Sequence, residues 1–122
     1  MAILELAKVR RTKKLAICGS AFIEIGIGLR GSLTKVDIIE VLRNLHALTN
    51  PIMKIPLSSF ILLSGLELEQ KISVSNLFDC LHTATALSHD AIMVSDDPFY
   101  EHVPDLTRLS LTDFVQKFSQ TS

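Results

Sequence analysis

The chain has 122 residues, 48% of them hydrophobic and 20% charged, with a formal net charge of -1. That length carries one core and is short for two, and the balance excludes a disordered tail and a globally basic nucleic-acid binder. A polyanionic partner therefore has to be held by a local patch or by a metal.

Two cysteines, Cys18 and Cys80, lie far apart, each in an apolar segment. They read as buried thiols in a reducing compartment. No apolar run reaches the roughly 18 residues that span a bilayer, and no h-region follows Met1. The expectation is a soluble, cytoplasmic protein with no membrane partner.

In "AILELAKVRRTKK", Ile3, Leu6, Ala7 and Val9 have helical spacing before a basic end, which predicts a short first helix. "LAIC" predicts a buried strand ending at Gly19. Ser20 then reads as the N-cap of a helix over "AFIEIGIGLRG", with Phe22, Ile25 and Leu29 on one face and Gly31 as its stop. The glycines of "GIGLRG" follow no phosphate-loop pattern and are assigned to close helix packing.

From Thr34 to Leu48 the periodicity is clean: Val36, Ile39, Leu42 and Leu45 form the apolar stripe, and "NP" ends the helix. "IMKIPL" predicts a strand near a sheet edge, given its proline. Ser58 caps a further helix carrying Leu62, Leu66 and Leu68. A helix from about Ser75 to Ser88, a strand over "AIMVS", a weak strand over "TRLSL" alternating Leu109 and Leu111, and a helix over "LTDFVQKFS" complete the order. Strands alternating with helices at this spacing predict a single α/β domain over residues 1–122, with helices flanking a short, mostly parallel sheet.

In such sheets the functional crevice lies beyond the carboxyl ends of the strands, where helices begin. Asp96 and Asp97 stand at one such end, after "AIMVS". Asp97 before Pro98 also reads as a helix N-cap with proline at the first position. Asp79 is set among Leu77, Phe78, Cys80, Leu81 and Ala84, although an acid near a helix N-terminus is also favoured by the helix dipole. Glu24 raises the same pair of readings between "AFI" and "IGIG". If these ends converge, the carboxylates cannot all stay ionised without a cation, and a hard divalent ion such as Mg²⁺ satisfies them.

The stretch "FDCLHTATALSHDAIMVSDDPFYEHVPDLTRLSL" resembles the C-terminal half of PIN domains. Their pattern is an aspartate opening an alanine-rich helix, a short apolar strand, and a Ser/Thr-x-Asp turn with an aromatic three places on. Asp79 matches the first aspartate, and Ser95, Asp97 and Tyr100 match the turn. "GSAFIEIGIGLRG" is similar to an earlier segment of the family, with Glu24 at its glutamate position. The resemblance covers roughly residues 15 to 118. It implies a PIN-like three-layer α/β sandwich and a Mg²⁺- or Mn²⁺-dependent endoribonuclease, commonly a VapC-like toxin that acts on RNA and is paired with an antitoxin protein. By the same resemblance Glu24, Asp79 and Asp97 would be metal ligands and catalytic residues, Asp96 an auxiliary, and Ser20, His82 and Ser95 close to substrate. A homodimer is a further expectation.

One part of the family pattern has no counterpart. PIN domains open on a strand ending in Asp-Thr or Asp-Ser, which supplies a principal ligand and the central strand of the sheet. Here residues 1–14 read "MAILELAKVRRTKK", with Glu5 in a helical pattern. The expectation is therefore an N-terminally shortened PIN-like domain, by a downstream start or by true loss, whose sheet lacks its middle strand and whose flanking strands pair with each other or with a second copy. A non-catalytic PIN-like module acting through protein association is the competing reading. "KVRRTKK" holds five of the twelve basic residues; it reads first as a solvated helix end, with contact to RNA phosphates as the alternative.

Overall fold

The computed structural model describes residues 3–6, 14–72 and 76–120, with residues 3–6, 14 and 118–120 described through the backbone alone. In chain order the elements are β1 (Ile3–Leu6), β2 (Lys14–Cys18), α1 (Gly19–Leu29), α2 (Lys35–Leu48), β3 (Met53–Ile55), α3 (Ser59–Lys71), α4 (Leu77–Ser88), β4 (Ile92–Val94), a short 3-10 helix (Pro98–His102), β5 (Arg108–Leu109) and α5 (Leu111–Gln120). The chain is an α/β protein. No helix among the described residues is long and apolar enough to cross a membrane.

The strands form one sheet in the order β3-β2-β1-β4-β5. β2 pairs parallel with β3 and β4 parallel with β5, while β1 runs antiparallel to both β2 and β4. Four strands thus share one direction and β1 alone opposes them. This corrects two expectations: Ile3–Leu6 is a strand and not the start of a helix, and the middle of the sheet is filled. Four residues, three of them apolar, satisfy helical and strand spacing alike, and hydrogen bonding on both sides decides for the strand. The basic residues of "KVRRTKK" before Lys14 lie outside the described residues.

Register fixes what β1 brings to each end of the sheet. Ile3 stands opposite Ile17 and Val94, and Glu5 opposite Leu15 and Ile92. Because β1 is reversed, its first residue lies at the carboxyl ends of β2 and β4. Glu5 stands two residues back, about 7 Å at the rise of a strand.

The core lies between the sheet and the α3–α4 pair, built from Ala16, Cys18, Ile55, Ile61, Leu81, Ala84 and Met93. Ile17 and Val94, which alternation turns to the opposite face, are also buried. β2 and β4 thus carry buried residues on both faces. Gly65 admits Leu81 at the α3–α4 crossing, where a Cβ would come within 2.7 Å of Leu81 Cδ2.

The expected cap at Ser58 forms, and Thr34 caps α2 in the same way. Thr34 Oγ1 accepts from Asp37 N at 3.3 Å and Ser58 Oγ from Ile61 N at 3.1 Å. Ser20, by contrast, does not cap α1: the helix starts two residues earlier than expected, after Cys18, with no side-chain cap bond. β3 is an edge strand, as its proline suggested. The inward faces of α2 and α3 are offset from the expected stripes. Ile38 is the buried residue of α2, whereas Val36 and Ile39 are 73% and 54% exposed. In α3, Ile61 and Gly65 are buried while Leu62 and Leu66 are exposed. Leu111 opens α5 and does not extend β5. Of the "GIGLRG" glycines, Gly26 alone meets a neighbour, Leu42 Cδ1, and nothing lies within 4 Å of a Cβ at Gly28 or Gly31.

Candidate functional site

Since β2 to β5 run the same way, α1, α3 and the 3-10 helix all begin at one edge of the sheet. That edge gathers the acids. Glu24 comes from α1, Asp79 from the first turn of α4, and Asp97 from the turn after β4.

Asp79 is half-buried, and Asn76 Oδ1 caps its backbone N–H at 2.9 Å. Its carboxyl pKa is pushed up, first by burial, then by the charges of Asp97 and Glu24, with His82 and the Asn76 side chain pulling the other way. Acids from two other segments therefore act on Asp79, as like charges close to it must. Tyr100, buried beside them, is also pushed up, by burial first and then by Asp79, Asp97, Cys18 and Glu24. It remains a neutral phenol at the edge of the acidic field.

Asp97 fulfils its structural reading: Oδ1 accepts from Phe99 N at 3.0 Å at the start of the 3-10 helix. Its own N–H donates to Ser95 Oγ at 3.1 Å, so Ser95 shapes the turn. Asp96 faces elsewhere. Its Oδ1 accepts from Leu111 N at 2.9 Å, which ties the turn to the first residue of α5. Arg108, which the sequence did not single out, donates from Nη1 to the Ser95 carbonyl at 3.2 Å and from Nη2 to Glu101 at 2.6 Å. It pins the acid-bearing turn to β5.

Ser20 and His82 are not open to a substrate, being 1% and 3% exposed. Ser20 Oγ lies 2.8 Å from His82 Nδ1, and His82 Nε2 lies 3.2 Å from Glu24 Oε1. A carboxylate only accepts, so in the tautomer that satisfies both contacts Nε2–H donates to Glu24 and the Ser20 hydroxyl donates to Nδ1. A serine, a histidine and an acid in series suggest acyl-transfer chemistry. Burial of Ser20 excludes it, because a nucleophile has to reach a substrate carbonyl. Cys18 is no nucleophile either: it is fully buried and its thiol is pushed up to about 12, chiefly by burial.

Carboxylates are hard oxygen donors of the kind Mg²⁺ and Mn²⁺ take. Among the described residues no three His, Cys, Asp or Glu side chains converge closely enough to hold one ion directly. Mg²⁺ usually takes one or two protein carboxylates and keeps several waters, so acids that act on one another without converging fit its habit. At the site edge of the central strand the register sets Ile3, an apolar residue, and no acid.

Comparison with family models, curated proteins and solved structures finds no match.

Proposed function

We propose that the protein is a metal-dependent endoribonuclease of PIN-domain type, with a PIN-like three-layer fold, acting in the cytoplasm as the toxin of a toxin–antitoxin pair. The observation that carries the reading is the placement of Glu24, Asp79 and Asp97 at the carboxyl edge of the parallel strands, where burial and the two neighbouring acids push the Asp79 carboxyl up. Acids gathered where charge is costly ask for a cation. Asp79 and Asp97 would hold Mg²⁺ or Mn²⁺, with Glu24 beside them. The ion, when bound, supplies charge neutralisation of a phosphodiester and a water of lowered pKa. Ser95 and Arg108 fix the turn that carries Asp97, and the buried Ser20–His82 pair fixes Glu24.

Cleavage of a single-stranded RNA with added Mg²⁺ or Mn²⁺ tests this. The reading expects activity that EDTA abolishes and that Glu24→Gln, Asp79→Asn and Asp97→Asn each lower; cleavage persisting in all three variants would sink it.

A second reading is a non-catalytic PIN-like module acting through association with an antitoxin-like protein or a second copy. Ile3 at the place where the family has its first aspartate favours it, as does the apolar outer face of α2. There Val36 and Ile39 lie exposed beside Glu40 and Arg43, a charge pair that two antiparallel copies of the helix would match crosswise. A homodimer through this face predicts that Ile39→Glu turns a sedimenting dimer into a monomer with unchanged melting. A monomeric parent chain removes the homodimer.

A further inference from the structure

We infer that Ser20 and His82 form a buried positioning relay for Glu24, so that cation affinity is set by two side chains that touch neither cation nor substrate. The inference rests on the metal reading above and adds to it a determinant of the same site.

Three observations carry it. First, the hydrogen bonds run in one line, from Ser20 Oγ to His82 Nδ1 at 2.8 Å and from His82 Nε2 to Glu24 Oε1 at 3.2 Å. Both ring nitrogens are engaged, which fixes the imidazole about its χ2 axis. Second, burial changes along the line, from 1% exposure at Ser20 and 3% at His82 to a Glu24 side chain 41% exposed. The anchored end lies inside and the functional end meets water. Third, the relay bridges α1 and α4, the helices that carry Glu24 and Asp79. Ser20 and Glu24 are one helical turn apart on α1, and His82 is three residues from Asp79 on α4, so His82 ties the two acids' frames together.

A half-exposed glutamate on its own samples several rotamers, and ordering it on a cation costs side-chain entropy. Holding one oxygen in place by a buried donor reduces that loss. Glu24 Oε2 has no hydrogen-bond partner among the described residues and is left to face a cation or one of its waters. Groups that orient metal ligands in this way are worth on the order of tenfold to a hundredfold in metal affinity.

The test separates the two halves of the ring. Glutamine at 82 can set its amide nitrogen where Nε2 stands, keeping the donor to Glu24. Asparagine reaches the Nδ1 position and keeps the Ser20 contact alone. Mn²⁺ binding is followed by electron paramagnetic resonance on full-length parent, His82→Gln, His82→Asn, Ser20→Ala and Glu24→Ala chains, with thermal melts showing which are folded. The relay predicts Mn²⁺ affinity near that of the parent for His82→Gln, a loss on the order of tenfold for His82→Asn and a smaller loss for Ser20→Ala. With Glu24→Ala already present, Ser20→Ala should lower affinity no further. Parent-like affinity in a folded His82→Asn, or in Ser20→Ala if His82→Asn does not fold, overturns the relay. So does a Ser20→Ala loss that persists without Glu24. A parent chain that binds no Mn²⁺ overturns the metal reading itself, and the relay's role with it.

Discussion

Replacing Gly19 by alanine probes the joint between β2 and α1 from which Ser20 and Glu24 are hung. A Cβ there would lie 2.8 Å from the Ile55 carbonyl oxygen, 3.2 Å from Pro56 Cα and 3.3 Å from Leu57 N. All three are backbone atoms at the end of β3, so no side chain can turn aside; the strand end or the helix start has to move by a few tenths of an ångström. Overpacking of this kind costs about 1–3 kcal/mol. Alanine returns about 0.4–1 kcal/mol by restricting the unfolded chain. The net is a loss of about 1–2 kcal/mol, which for a domain of this size lowers the melting temperature by roughly 5 °C. The matched control is Gly28→Ala, where nothing lies within 4 Å and helix propensity gives a gain of up to about 1 kcal/mol. Thermal unfolding by circular dichroism should therefore move in opposite directions for one chemical change. Equal or higher melting for Gly19→Ala would refute the close approach and, with it, the placement of α1 against β3.

Asp79→Asn addresses the acidic field in EDTA. The carboxyl pKa is raised in the folded chain by burial, then by Asp97 and Glu24, so the folded state holds the proton more tightly than the unfolded one. Its contribution to stability is present at low pH and is lost as pH rises through the folded value. Asp79→Asn should melt above the parent at pH 7, with the gap closing as pH falls toward about 4, the ordinary aspartate value; a lower melting temperature at pH 7 contradicts the assignment. Asp97 separates cap from ligand. Asp97→Asn keeps the acceptor for Phe99 N and should retain stability, whereas Asp97→Ala should lose about 1 kcal/mol, and both should weaken cation binding. Unchanged cation binding in both leaves Asp97 as a cap.

Ser58 was legible as a cap because capping is a local contract between a hydroxyl and an N–H three residues on. The parallel strands with helices at their carboxyl ends were legible from alternation of apolar runs and capped helices, and that order placed Glu24, Asp79 and Asp97 at one edge. β1 was not legible, since four residues paired on both sides owe their state to distant partners. In α2, apolar residues fall on two faces, with Val36 and Ile39 on one and Ile38, Leu42 and Leu45 on the other, so periodicity cannot choose which faces the core. α3 repeats the difficulty in Ile61, Leu62 and Leu63. The Ser20–His82 contact joins residues 62 apart, and Ser20 in the sequence offers the more ordinary role of cap. Asp96 and Asp97 look equivalent as neighbours; the turn sends one to α5 and the other to the 3-10 helix.

The central claim, that Glu24, Asp79 and Asp97 together serve a divalent cation, is tested most directly by calorimetric titration of the full chain with Mg²⁺ and Mn²⁺, alongside Asp79→Asn. The account predicts saturable binding in the parent chain that Asp79→Asn abolishes. Absence of saturable binding in the parent, or binding that Asp79→Asn leaves unchanged, would contradict it.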